Sequence, residues 1–108
     1  MNKVDVATEI GDVLTTIDAL LSDPEFSPSS PKWQQLFALR KHLDDQQREL
    51  VQEIFAEDSP EFDQIAKQLG EASDSLEKVA GSIAKLGTVL KTVSSIASLA
   101  DKILSLAL

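Results

Sequence analysis

Apolar side chains recur every three or four residues along most of the chain, which is the spacing of helices with one buried face. The first such stripe lies in residues 4–21 and consists of Val6, Ile10, Val13, Ile17 and Leu20. No segment alternates apolar and polar positions with the period of two that marks a half-buried strand. The pattern therefore predicts an all-α protein, a bundle of three to four helices.

The prolines of the sequence separate the helical segments. Pro24 ends the first helix, because the residue before a proline is pushed out of helical geometry. Two Ser-Pro pairs, Ser30-Pro31 and Ser59-Pro60, each place a capping hydroxyl before a proline that suits the first helical position. These signals predict a single domain over residues 1–108, with a helix at about 4–21, a loop at 22–30, a helix at about 31–57 and a helix at about 60–108.

The third helical segment carries the most regular pattern. From Phe62 to Ala107, apolar residues follow each other at alternating spacings of three and four, for about seven heptads. As one helix this segment would span about 72 Å. Gly81 and Gly87 mark a region, 81–88, where the helix could bend, or break and close a four-helix bundle. The heptad passes through Gly87 without a slip, which favours one long or gently bent helix.

The apolar surface of this segment widens towards its C-terminal end. Before Val79 the stripe is narrow and has charged flanks, whereas a second apolar stripe runs beside it afterwards. A helix that is apolar over most of its girth is usually buried, either against its own chain or against another molecule. The residues expected to form this interface are Leu76, Val79, Ile83, Leu86, Val89, Leu90, Val93, Ile96, Leu99, Ile103 and Leu104.

The charge of the chain is strongly acidic and unevenly distributed. The formal net charge is −8, with −10 in residues 1–78 and +2 in residues 79–108. An acidic protein is poorly suited to nucleic acid, because phosphate neutralisation needs Lys and Arg. The asymmetry fits an apolar C-terminal segment that docks against an acidic body, or an interaction surface.

The residue inventory contains no catalytic or cofactor-binding signature. The chain has no cysteine and one histidine, His42, so neither a Cys/His metal site nor a serine–histidine pair in a pocket is expected. His42 is predicted to be a solvated surface residue. Glu49, Glu53 and Glu57 form an acidic row at helical spacing that suits solubility better than acid–base chemistry. The sequence predicts a non-enzyme without metal or cofactor.

Two functions remain compatible with the sequence. The first is a protein-interaction module that self-associates as a homo-oligomer or binds a partner protein through the C-terminal seam, as an adaptor, chaperone, inhibitor or immunity-type protein does. The alternative is a membrane-active helical protein whose apolar, net-basic C-terminal segment inserts at a lipid interface; four charges interrupt that segment, so simple spanning is not expected. The first residues lack the apolar stretch of a signal peptide, so a cytoplasmic location is expected, with signal-less export left open.

Overall fold

Four α-helices account for most of the chain in the computed structural model, which describes residues 1–108. The helices are α1 (Lys3–Leu21), α2 (Pro31–Gln52), α3 (Pro60–Val79) and α4 (Leu86–Leu104), and a short 3₁₀ turn, Ile83–Lys85, precedes α4. No strand is present. The predicted all-α bundle is confirmed.

The helices form two antiparallel hairpins, α1 with α2 and α3 with α4. In the first hairpin, Lys3 Nζ donates to the carbonyl of Val51 at 3.1 Å, and Trp33 Nε1 donates to the carbonyl of Leu21 at 3.0 Å. Around the bundle the helices follow the order α1, α2, α4, α3. The loop from α2 to α3 therefore crosses the bundle diagonally, and the whole bundle measures 43 × 22 × 17 Å.

The core consists of apolar side chains from all four helices and from two loop phenylalanines, Phe26 and Phe55. The stripe predicted for α1 is confirmed, since all five of its residues are buried. α3 and α4 contribute residues at the same alternating spacing, so each helix places one side against the common centre.

The predicted Ser-Pro helix starts are also confirmed. The Ser30 hydroxyl accepts a hydrogen bond from the Trp33 amide at 3.1 Å, and the Ser59 hydroxyl accepts one from the Phe62 amide at 3.2 Å. Each bond satisfies an amide that the first turn of the helix leaves free.

α2 ends at Gln52, several residues before the predicted boundary at 57. The backbone of Glu53 is extended, and this lets Phe55 turn into the core, where its ring centroid lies 5.5 Å from that of Phe62. Glu57 lies in the loop and accepts a hydrogen bond from the Lys3 amide at 2.8 Å. The acidic row predicted along one helix face is therefore not formed, because burial of Phe55 outweighs continuation of the helix.

The single helix predicted for 60–108 is divided into α3 and α4. The chain leaves α3 at Ala80 and turns through Gly81 and Ser82, whose hydroxyl accepts from the amide of Ala84 at 3.2 Å. The turn lies at the start of the region 81–88 where a bend was predicted. The helix is broken there and closes a four-helix bundle, so the favoured single long helix is wrong. Folding back lets α3 and α4 bury their apolar stripes against each other and against the first hairpin, whereas a rod of about 72 Å would leave much of that surface in water.

Candidate functional site

The residues predicted to form an interface lie inside the chain instead of on a free surface. Six of them are buried in the core: Leu76, Leu86, Val89, Val93, Ile96 and Ile103. The others are half-buried and pack against the core: Val79, Ile83, Leu90, Leu99 and Leu104. The chain's own helices therefore cover the apolar seam of the C-terminal segment.

The segment Ile83–Leu104 is also long and apolar enough, by length and composition alone, to cross a membrane. The inner helix of a globular bundle has the same composition, and one side of this segment lies in the core. The opposite side carries Lys91, Ser98 and Lys102, all exposed.

The large apolar side chains that stay exposed lie on the first hairpin. Val4 is 62% exposed, Phe37 43%, Val51 48% and Ile54, just beyond the end of α2, 69%. α3 and α4 contribute no residue to this group, and its remaining members are Met1 and Leu108 at the two ends of the chain. Val4 and Val51 lie at one end of this hairpin and Phe37 lies towards the other.

Val4, Phe37 and Val51 belong to the outer side of the α1 and α2 pair, which we call the α1–α2 face. It consists of two stripes at helical spacing: Val4, Thr8, Gly11, Thr15 and Asp18 on α1, and Trp33, Phe37, Arg40, Asp44, Gln47 and Val51 on α2, with Arg48 beside them. The spacing places each set on one side of its helix. Contacts between the helices join the two stripes into one surface.

One end of the α1–α2 face is a groove of about 280 Å³ whose lining is half polar and half apolar, with Val4 and Val51 among its walls. Clefts that enclose small molecules measure roughly 300–1,000 Å³, so this groove suits a single side chain better. Gln47 closes its floor, donating from Nε2 to the carbonyl of Ala7 at 2.8 Å. Gly11 makes room for this contact, since a Cβ at that position would lie 3.2 Å from Gln47 Nε2.

The other end of the α1–α2 face is aromatic. The rings of Trp33 and Phe37 stack with their centroids 5.3 Å apart and their planes at 12°. The indole of Trp33 is half-buried and fixed by its hydrogen bond to the Leu21 carbonyl, so it supports the more exposed ring of Phe37. Anchored aromatic side chains of this kind often dominate the energy of protein interfaces.

The middle of the α1–α2 face carries paired charges. Arg40 Nε and Nη2 bind the two carboxylate oxygens of Asp18 at 2.9 and 3.2 Å, and Arg48 Nη2 lies 2.8 Å from Asp44 Oδ2. The hydrogen bonding that Arg40 donates to Asp18 is the main reason why the pKa of Arg40 is raised above its ordinary value. Two arginines and two aspartates leave this stretch neutral on a protein whose net charge is −8.

A buried amide joins α2 to α4 away from this face. Gln46 is 2% exposed, and its Nε2 donates to the carbonyl of Ala97 at 2.9 Å and to Asp101 Oδ1 at 2.7 Å, while its Oε1 has no partner. His42, one turn earlier, is exposed, as predicted, with Nε2 3.7 Å from the same carboxylate oxygen. The structure contains no cluster of three or more His, Cys, Asp or Glu side chains placed to hold a metal ion.

A second cleft, of about 470 Å³, lies between the loop 22–30 and the start of α4. Its apolar walls are Phe26, Ile83 and Leu86, and Glu25 and Lys32 lie at its edge. No hydrogen bond joins the loop 22–30 to the segment 80–86 across it. Phe26 and Leu86 are both part of the core, so apolar packing alone joins the loop to the start of α4 here.

Comparison of this chain with known protein families, curated proteins and solved structures finds no match. The candidate site therefore rests on geometry alone. The α1–α2 face was not predicted from the sequence, because its stripes mix apolar, hydroxyl and charged residues as a solvated surface does. The feature of the sequence that could have indicated this face is the aromatic pair Trp33 and Phe37, which are four residues apart.

Proposed function

We propose that this protein is a non-enzymatic protein-interaction module and that the α1–α2 face is its binding surface. The observation that carries the proposal is the position of the exposed apolar side chains. Val4, Phe37 and Val51 lie on the first hairpin and Ile54 just beyond its end, whereas the exposed sides of α3 and α4 are polar. On a surface whose only requirement is solubility, exposed apolar side chains would have no reason to be absent from two helices and present on the other two.

The composition of the face supports the same proposal. Interfaces are enriched in aromatic residues and Arg and depleted of unpaired charge at their centre. The face has a fixed Trp33, an exposed Phe37, and arginines that are already paired with carboxylates. The apolar seam of α3 and α4 then has a supporting role, since it closes the bundle and holds α1 and α2 in position.

Site-directed photo-crosslinking tests this proposal. With a photo-reactive amino acid in place of Phe37 or Val51, illumination of the cells that make the protein is expected to give a discrete covalent adduct. The same group in place of Ser98, which is exposed on α4, is expected to give none. The mass of the adduct distinguishes a second copy of the chain from a different protein.

The control for specificity is an untagged competitor that carries Phe37→Asp. Wild-type competitor should remove the adduct, and the Phe37→Asp competitor should not, because a charge replaces the aromatic anchor. Labelling at Ser98 equal to that at Phe37, in a protein shown to be folded, would contradict the proposal.

The second candidate function is membrane binding, which the composition of Ile83–Leu104 favours. For this function α4 would have to leave the bundle and place its apolar side at a lipid surface. Flotation with anionic vesicles at low salt tests this. The protein is expected to stay with the buffer, because the apolar side of α4 is covered; flotation with the vesicles would favour the membrane-active alternative.

A further inference from the structure

We infer that the α1–α2 face binds its partner at one end of the bundle, and that the partner presents a basic segment with exposed aliphatic side chains. The inference rests on the proposed function and states the chemistry of the partner. The end concerned lies beside the loop from α2 to α3, and we call it the loop end; it consists of residues 1–6, 49–63 and 102–108. The opposite end of the bundle consists of residues 19–35 and 76–90.

Hydrogen bonds tie the three stretches of the loop end together. Lys3 Nζ donates to the carbonyl of Val51 at 3.1 Å and to the carbonyl of Glu53 at 2.7 Å. The Leu108 amide donates to the carbonyl of Ile54 at 2.9 Å. The three stretches therefore form one continuous surface.

The loop end holds most of the large apolar side chains that are exposed. Of the six on the whole chain, five lie there: Met1, Val4, Val51, Ile54 and Leu108. The opposite end holds none. Val4 and Val51 line the groove of about 280 Å³, into which one side chain of a partner fits. An exposed apolar patch at one place on a protein surface is typical of a site for another molecule.

The loop end is acidic, whereas the opposite end is neutral. The loop end contains seven Asp or Glu and two Lys, and the opposite end contains three acidic and three basic residues. Residues 49–63 alone supply six of the acids and contain no Lys or Arg. Within the chain, Glu49, Glu53 and Asp58 make no ion pair at 4.0 Å or less.

Two cations near the groove are already engaged by the chain. The ammonium of Lys3 lies at the C-terminal end of α2, where two carbonyls accept its hydrogen bonds and the helix dipole favours a positive charge. Arg48, which lines the groove, is held by Asp44 at 2.8 Å. The unpaired carboxylates of residues 49–63 therefore take their counter-charges from outside the chain.

An apolar patch with acidic surroundings matches a segment that is both apolar and basic. Aliphatic side chains of the segment fill the groove and cover Val51 and Ile54, while its Lys or Arg side chains pair with the carboxylates. Nucleic acid and anionic lipid present phosphate groups, which this end of the bundle repels. A second copy of the chain brings the same negative charge. The partner is therefore a basic segment of another protein.

A synthetic peptide of Leu and Lys at helical spacing is the probe, and fluorescence anisotropy of the labelled peptide measures its binding to the whole chain. A peptide of about ten residues spans about 15 Å as a helix, which suits the loop end. It is expected to bind at low salt and to bind about tenfold less tightly at high salt, because salt screens exposed charges. Peptides with Glu in place of Lys, or Ser in place of Leu, are each expected to bind about tenfold less tightly.

Two triple variants separate the charge of the loop end from that of the whole protein. The test variant replaces three of its acids: Glu49→Gln, Glu53→Gln and Asp58→Asn. It is expected to bind the Leu–Lys peptide about tenfold less tightly, since three exposed ion pairs are lost. The control makes the same change of charge at exposed positions of α3: Glu71→Gln, Asp74→Asn and Glu77→Gln. These lie about 12 Å or more of helix beyond the loop end, further than the Debye length of about 10 Å, so binding is expected within about twofold of wild type.

A second pair of variants tests the apolar contact. Val51→Ser with Ile54→Ser is expected to weaken the Leu–Lys peptide about tenfold, because apolar area is no longer buried. Ala19→Ser with Ala38→Ser changes two exposed positions of the same hairpin outside the loop end and is expected to bind normally. Circular dichroism of all variants should show the wild-type helical content.

Three results would overturn the inference. The first is a Leu–Lys peptide that does not bind at low salt. The second is a Ser–Lys peptide that binds as tightly as the Leu–Lys peptide, which would show attraction by charge alone. The third is an equal loss in the two triple variants, which would show that binding depends on the total charge of the protein.

The photo-crosslinking experiment separates this inference from the proposed function. An adduct at Val51 with another protein, together with failure of the Leu–Lys peptide, refutes the basic segment and leaves the interaction module standing. Peptide binding that meets all controls, together with an adduct whose crosslinked segment is rich in Lys or Arg, supports both. Absence of adducts at both Phe37 and Val51 refutes the interaction module, whatever the peptide does.

Discussion

The Val93→Asp variant is expected to be unfolded at room temperature. Val93 is 0% exposed and lies in the middle of α4, where the core surrounds it. A carboxylate without a partner in such a place costs several kcal/mol of effective desolvation, and the total stability of a domain is only about 5–15 kcal/mol. The measurement is the helical signal in circular dichroism, followed with temperature.

Ser94→Asp is the matched control for this variant. It adds the same charge one residue later on the exposed side of α4 and is expected to keep the wild-type melting temperature within a few degrees. If Val93→Asp melted like Ser94→Asp, α4 would not be packed in the core, and the assignment of its buried side would have to be abandoned.

The Phe62→Ala variant is expected to lose about 3–5 kcal/mol of the free energy of unfolding. Phe62 is 0% exposed in the first turn of α3, and its ring packs beside Phe55 under the loop that crosses the bundle. Its removal leaves a cavity between the two hairpins that the surrounding side chains fill only in part. Urea denaturation at a fixed protein concentration measures the change.

Phe37→Ala makes the same chemical change on the surface. Phe37 is 43% exposed and loses mainly its stacking on Trp33, a contribution of about 0.5–1.5 kcal/mol. The two variants therefore separate a phenylalanine that supports the fold from one that lies on the surface. Equal losses at the two positions would show that Phe37 is part of the core.

The sequence predicted the starts of α2 and α3, because local chemistry determines them. Ser30 and Ser59 cap the helices that follow them, and the stripe of α1 is buried as its spacing indicates. The break between α3 and α4 could not be predicted in the same way. A heptad pattern tells which side of a helix is buried, and an antiparallel hairpin needs the same pattern as a continuous rod.

The candidate site could not be predicted from the spacing of residues in the sequence, because its contacts join residues far apart in the chain. Helical spacing alone pairs Arg40 with Asp44, yet Arg40 reaches Asp18 on the neighbouring helix. Nothing in the sequence distinguishes Gly11 from another helical glycine. In the structure, a Cβ at this position would lie only 3.2 Å from Gln47 Nε2. The exposed positions of Val4 and Val51 follow only from the way in which α1 and α2 are packed.

The two ends of the bundle are held together by different contacts. At the cleft beside Phe26, no hydrogen bond joins the loop 22–30 to residues 80–86. At the opposite end, the Leu108 amide donates to the carbonyl of Ile54 at 2.9 Å, and the Lys3 amide is bonded to Glu57, so the crossing loop is tied to both hairpins. Local opening of a protein begins where few bonds resist it. Opening of the bundle is therefore expected to begin at the cleft, where apolar packing alone holds the first turn of α4 against the loop 22–30.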